Sequence, residues 1–312
     1  MNTFKTYDWV DTAKGIGILL VIAGHTIGGN ISKIIYLFHM PLFFFLSGYL
    51  YTIKPEFTFF KNRVQKLLIP YVIYLFIFSS MIIIKMILNN YGFDKISETI
   101  LTFIYGGKLL TGWMGVFWFV TVFFISQQIL NISINRIGFV STGILSTILL
   151  ALSYVFSNYI SYPMPLNILV TFYAMPIMYV GLMIKKQEKE IHPIVYIIGC
   201  MGCLWFYYHN QMQMQFDMKS SMYGIPVINF ILALFLTIVT IQFCNIIKNR
   251  YLEVIGRNSM SIMYIHQFLH LSIADRFSTS PFIIFMVTVV LSLLYCMGLN
   301  KMTFIIRQRR VN

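Results

Sequence analysis

Charge is the scarce commodity in this chain. Of 312 residues only 11% are charged, ten of them acidic against 23 lysines and arginines, while 58% are hydrophobic. Soluble globular domains carry about 25% charged residues, so that class is excluded, and a mean hydropathy of +0.76 indicates a polytopic membrane protein. Cysteine is also sparse. Cys200, Cys203, Cys244 and Cys296 all fall in apolar stretches. The Cys200-x-x-Cys203 pair has no second ligand pair, so the cysteines read as small apolar side chains rather than a zinc or redox centre, and no metal site is expected. A small-residue cleavage site is missing after the first apolar run, which is therefore expected to stay as an uncleaved anchor. No internal repeat joins the two halves, which weakens a transporter built from repeats.

What the chain has is hydrophobic length. Ten stretches are long enough to cross a bilayer, at approximately 12–29, 34–53, 67–88, 115–135, 138–157, 164–184, 192–208, 224–247, 256–274 and 281–303. They leave no room for a separate soluble domain, so residues 1–312 read as one all-α transmembrane domain of about ten helices. The net charge of +13 would suit a nucleic-acid partner, but its placement does not. Lys54, Lys61, Arg63, Lys66, Arg136, Lys185, Lys186, Lys189, Lys248, Arg250 and Arg257 fall in alternate connections, joined by Lys5 and by Lys301, Arg307, Arg309 and Arg310 at the ends. The other connections hold only Lys33, Lys95, Lys108, Lys219 and Arg276. The positive-inside rule then places both termini in the cytoplasm and accounts for the basic excess without nucleic acid.

The first span carries the chemistry. Lys14 stands near its start and His25 deep inside, and ionisable groups at such depth are functional candidates by default. Eleven residues separate them, which at ~100° per residue returns to the same helical face about 16 Å further on. Asp11, Ile18 and Ile22 share that face. A satisfied interhelical histidine with a snorkelling lysine is the plainer alternative. Orientation places His25 beyond the membrane midpoint, His39 near the outer surface, His266 near the middle and His270 further out. Pro41 and Pro176 free backbone carbonyls that need another partner. Trp118 in Phe117-Trp-Phe119 can stack on a ligand or serve as an interfacial aromatic. Asn258, Ser259 and Ser261 open the ninth span with groups suited to capping or to ligand contact.

At these residues the chain resembles the membrane-bound acyltransferase-3 family, and within it the fucose 4-O-acetylase-like branch. The resemblance rests on Asp11-Thr-Ala-Lys-Gly15 running to Gly24-His25, and on Phe38-His-Met-Pro-Leu-Phe-Phe-Phe-Leu-Ser-Gly-Tyr49. Weaker matches are Arg63 with Leu67 to Pro70, Trp118-Phe119, and Gly256, Asn258, Ser259, Tyr264 and His266. The chain departs from the pattern in having Lys14 where many members carry arginine, and in a Tyr264 to His266 spacing one residue shorter.

The resemblance implies a multi-pass enzyme of the bacterial inner (cytoplasmic) membrane. Such enzymes move an acyl group, usually acetyl, from cytoplasmic acyl-CoA to a hydroxyl of a sugar or polysaccharide at the outer face. Lys14, Arg63 and Lys66 would then form a basic rim for the phosphates of acetyl-CoA, with Trp118 on the same donor. The ~16 Å from Lys14 to His25 approximates the pantetheine arm. His25 is the expected general base, or a transient acyl acceptor, with His39 orienting or assisting it. Asn258, Ser259, Tyr264 and His266 are the candidate substrate contacts, the first three as possible oxyanion donors. Asp11 is too far from His25 to orient it and is expected to pair with Lys14 or a loop arginine. The competing class is a transporter or flippase for a polysaccharide or lipid-linked sugar, with the same polar residues lining a path; a scaffold in polysaccharide assembly is a third.

Overall fold

The computed structural model describes residues 8–187, 193–210, 214–247, 249–274, 276 and 280–309. Lys5, Lys189, Lys248 and Arg310 of the orientation argument lie outside the described residues. The chain is an all-α polytopic membrane protein, and among the described residues its strands are limited to the two-residue pair β1 (Phe216–Asp217) and β2 (Met222–Tyr223). Six helical stretches among the described residues are long and apolar enough to cross a membrane: Gly29–Tyr49, Glu56–Leu88, Gly112–Tyr159, Pro165–Lys186, Ile228–Ile247 and Pro281–Lys301. The chain divides into two compact units, one made of the residues up to His39 together with those from Thr240 onward, the other of Met40–Val239.

The first unit is built on α1 (Asp8–Thr26). It packs against α10 (Arg250–Arg257), α11 (Ser259–Leu269) and α12 (Pro281–Arg309). Two glycines set the α1–α10 crossing. A methyl group at Gly15 would run into the Leu252 carbonyl oxygen, and one at Gly256 into the Asp11 carbonyl oxygen. The backbones therefore approach more closely than any side chain allows, the arrangement small residues provide between membrane helices. Asn249 caps α10 by accepting from the N–H groups of Tyr251 (2.8 Å) and Leu252 (3.3 Å). The helix stops at Asn258, whose φ of -97° and ψ of 4° leave the helical region, and α11 starts at Ser259.

In the second unit, α3 (Glu56–Arg63), a π-helical turn (Val64–Leu68) and α4 (Ile69–Leu88) form one uninterrupted helical run. Residues 54–66, read from their charge as a connecting loop, are thus helical from Glu56 onward. Two interactions explain this: Phe59 is buried and Phe60 meets Phe124 at 5.7 Å, anchoring one face of the run. Arg136 donates twice to Glu56, at 2.8 and 2.9 Å, fixing its first turn.

Helix α6 (Trp118–Tyr159) doubles back at Gly138, whose φ of 79° and ψ of 177° leave the helical region. The proof lies at its ends. Thr121 Oγ1 donates to Leu166 O at 2.8 Å, although a straight helix would carry Tyr159 about 57 Å from Thr121. Helix α7 (Thr171–Gln187) packs along α6, with Ser146 donating to Met175 and Tyr179 to Phe139 O. Gly48 near the end of α2 (Gly29–Tyr49) and Gly181 on α7 each sit against the other helix's backbone, at Met178 O and Phe45 O respectively. That contact accounts for Gly48 in physical terms.

Along one stripe of α6, Gln127 donates to Ser47 (2.7 Å), Asn131 accepts from Tyr51 (2.7 Å) and Asn135 donates to Lys54 O (3.0 Å). Four-residue spacing puts all three on one face. Helix α5 (Phe93–Tyr105), α8 (Pro193–His209) and α9 (Ile228–Ile247) complete the described helices.

Candidate functional site

Histidines cluster in the first unit because three helices place them at matching heights. His25 is the penultimate residue of α1, His39 lies three residues after Tyr36 on α2, and His266 lies within α11. A short turn at Gly28 and Gly29, both with positive φ, folds α2 back on α1 and sets Tyr36 beside His25. The Tyr36 hydroxyl and His25 Nδ1 are hydrogen-bonded at 3.3 Å. The His25 ring lies 5.7 Å from that of His266, and Tyr36 lies 5.1 Å from His39, centroid to centroid. His39 and His270 are close enough to His266 to act on it electrostatically.

The hydrogen bonds fix two of the rings. His39 Nδ1 donates to Ile35 O at 2.8 Å and His266 Nδ1 to Ile262 O at 3.0 Å, each one helical turn back. Both imidazoles are buried, so the proton on Nδ1 leaves Nε2 as the acceptor nitrogen. Among the described residues, Nε2 of His266 has no hydrogen-bond partner. His25 differs in being only half-buried. When its Nδ1–H donates to the Tyr36 oxygen, Nε2 is the unprotonated nitrogen; when the Tyr36 hydroxyl donates, the roles reverse. No group of three or more His, Cys, Asp or Glu able to hold a metal occurs among the described residues.

At the other end of α1, Lys14 Nζ pairs with Asp11 Oδ1 at 3.2 Å. Arg257 Nε holds the second Asp11 oxygen at 3.2 Å and its Nη2 reaches Glu253 at 3.4 Å. Asp11 thus pairs with both the lysine and the arginine. Arg257, its side chain 63% exposed, presents more of its charge than Lys14 at 31%. Between Lys14 and His25 the stripe is solid: Ile18 and Ile22 are each 1% exposed.

Asn258 donates to Val254 O at 2.8 Å and accepts from Asn300 at 3.2 Å, which ties it to the break between α10 and α11. Ser259 and Tyr264 are buried in the same unit. The remaining candidates lie in the second unit. Arg63 covers the Phe59 ring at 4.9 Å, Lys66 is exposed on the π turn, and Trp118 is buried at the first turn of α6, edge-on to Phe119.

Two residues of this constellation were not singled out from sequence. Tyr36 sits three residues before His39, a helical-neighbour spacing that was available as a signal. Arg257 reaches Asp11 across most of the chain, and nothing local announces it.

The Acyltransferase domain family model matches residues 7–301. No curated protein and no solved structure matches the chain. With the histidine cluster and the glycine crossing inside the matched range, the chain belongs to the acyltransferase-3 family and is a membrane acyltransferase.

Proposed function

We propose that the protein is an O-acetyltransferase that takes an acetyl group from cytoplasmic acetyl-CoA and delivers it to a hydroxyl of a cell-surface sugar or polysaccharide, as in the fucose 4-O-acetylase-like branch. The observation that carries this reading is His25, a half-buried imidazole within a ring cluster, hydrogen-bonded through Nδ1 to Tyr36 and about 16 Å along α1 from the cationic end.

His25 Nε2 removes the proton of the acceptor hydroxyl as its oxygen attacks the thioester carbonyl. The ester C–O bond forms, the C–S bond breaks, and the proton held by His25 passes to the departing thiolate. Tyr36 accepts the Nδ1 hydrogen bond and holds the ring in the tautomer whose Nε2 is unprotonated. In the two-step version His25 Nε2 attacks the thioester carbonyl and expels the CoA thiolate; the hydroxyl oxygen then attacks the acetyl-imidazole, the C–O bond forms as the C–N bond breaks, and the hydroxyl proton leaves to water. His39 acts through Tyr36 as a positioning residue. Lys14 and Arg257 at the inner end of α1 supply charge for the CoA phosphates.

Membranes containing the protein, supplied with acetyl-labelled acetyl-CoA and candidate glycans, test the reading. Label should appear as alkali-labile ester on the glycan. Glycan translocation that proceeds without acyl-CoA would instead mark a transporter.

A further inference from the structure

The second unit carries a cavity of about 340 Å3, within the range of small-molecule sites. It lies at the end where α6 finishes, the α7 lead-in begins and the β1–β2 hairpin turns, which the charge of the connecting segments assigns to the outer face. Its lining includes Lys108, Ser153, Ser157, Ser161, Ser221 and Tyr223. Several hydroxyls and an ammonium thus share one chamber.

The lysines deserve explanation because outer connections of membrane proteins are poor in them. Of the five outer basic residues, Lys95 follows Asp94 and covers the Tyr91 ring at 4.8 Å, and Arg276 follows Asp275 in sequence. Lys108 and Lys219, distant in sequence, come close enough to repel each other. Lys219 Nζ donates to Leu110 O at 2.6 Å, and burial with that neighbouring charge pulls its pKa down against the opposing pull of Asp217. Asp217 is engaged by the Lys219 N–H at 3.0 Å and the Ser220 hydroxyl at 2.6 Å. Among the described residues, neither carboxylate oxygen of Asp217 is held by a lysine ammonium, and Lys108 is the one charged residue in the cavity lining, which gives the chamber a positive charge.

The surroundings are held rigidly. Asn167, another lining residue, has a φ of 61° and donates to Lys219 O at 3.0 Å, and Gly107 presses its backbone against Asn167.

We propose that this cavity is a capture subsite for an anionic sugar unit, a uronate or phosphate-bearing residue of the acceptor glycan. Lys108 pairs with the acid group and the serine and tyrosine hydroxyls bond the ring hydroxyls. The inference rests on the acceptor being a glycan at the outer face, and assigns its chemical class. A polyol phosphate from a lipid headgroup shares this chemistry; the abundance of hydroxyls favours the glycan.

The test is equilibrium binding of labelled glucuronate to the full chain in phosphatidylcholine nanodiscs. Saturable, salt-sensitive binding is expected, at least tenfold tighter than glucose, about tenfold weaker in Lys108→Gln and restored in Lys108→Arg. Lys95→Gln should bind as wild type does. Equal binding of glucose, or undiminished binding in Lys108→Gln, would overturn the proposal. So would sn-glycerol 1-phosphate binding tenfold tighter than glucuronate, which would assign the cavity to a headgroup. Acetyl transfer is measured in parallel: glucuronate binding without any transfer would leave the subsite standing and defeat the transferase reading, whereas transfer to a glycan without glucuronate binding would defeat only the subsite.

Discussion

The rings of His25 and His266 stand 5.7 Å apart although they come from opposite ends of the chain. One is half-buried with Nδ1 bonded to Tyr36; the other is fully buried with its Nδ1 proton committed to Ile262. The buried ring is therefore held in place while the other keeps part of its surface exposed, and the proposed role of His25 as base rests on this asymmetry.

Tyr36→Phe keeps the ring packed against His39 and removes only the hydroxyl. The expected result is a kcat lower by about tenfold or more with KM for acetyl-CoA little changed, and an altered pH–rate profile, because the His25 tautomer is no longer held. A profile superimposable on wild type would remove Tyr36 from the mechanism.

At the inner end of α1 the shared carboxylate makes opposite changes informative. Arg257→Gln should raise KM for acetyl-CoA about tenfold, with an effect that shrinks at high salt, and leave kcat near wild type. Asp11→Asn releases both Lys14 and Arg257 and should lower KM or leave it unchanged, at a stability cost of about 0–1 kcal/mol for these partly exposed pairs. Initial rates at two ionic strengths check both.

The glycine crossing gives a stability prediction with an internal control. Gly256→Ala forces a methyl against the Asp11 carbonyl and should cost about 1–3 kcal/mol. Gly298→Ala, where nothing lies within 4 Å of the added carbon, should be neutral or slightly stabilising. Thermal unfolding in detergent separates the two.

Gly138→Ala tests a different cause. Its added methyl also meets nothing within 4 Å, so the expected cost of about 1–3 kcal/mol is purely torsional, from a φ of 79° with an extended ψ. An unchanged melting temperature would show that the reversal tolerates another conformation.

The histidines were legible because an imidazole in an apolar run is conspicuous whatever surrounds it. The all-α architecture was legible for the same reason, written in the length of the apolar runs. The helical form of the segment carrying Arg63 and Lys66 was not legible, because it depends on Phe59 and Phe60 anchoring one face of the run. Lys14 and Asp11 were visible as neighbours, but the hold of Arg257 on Asp11 depends on the α1–α10 crossing. That crossing was present in the sequence only as two isolated glycines. The isoleucines between Lys14 and His25 were seen to share a face, while their complete burial follows from the helices packed on α1.

The most direct test of the account is acetyl transfer by His25→Ala, with expression and melting temperature matched to wild type. Sealed vesicles carry acetyl-labelled acetyl-CoA on one side and the glycan on the other. The account expects label on the glycan to fall at least a hundredfold; transfer at the wild-type rate would contradict it.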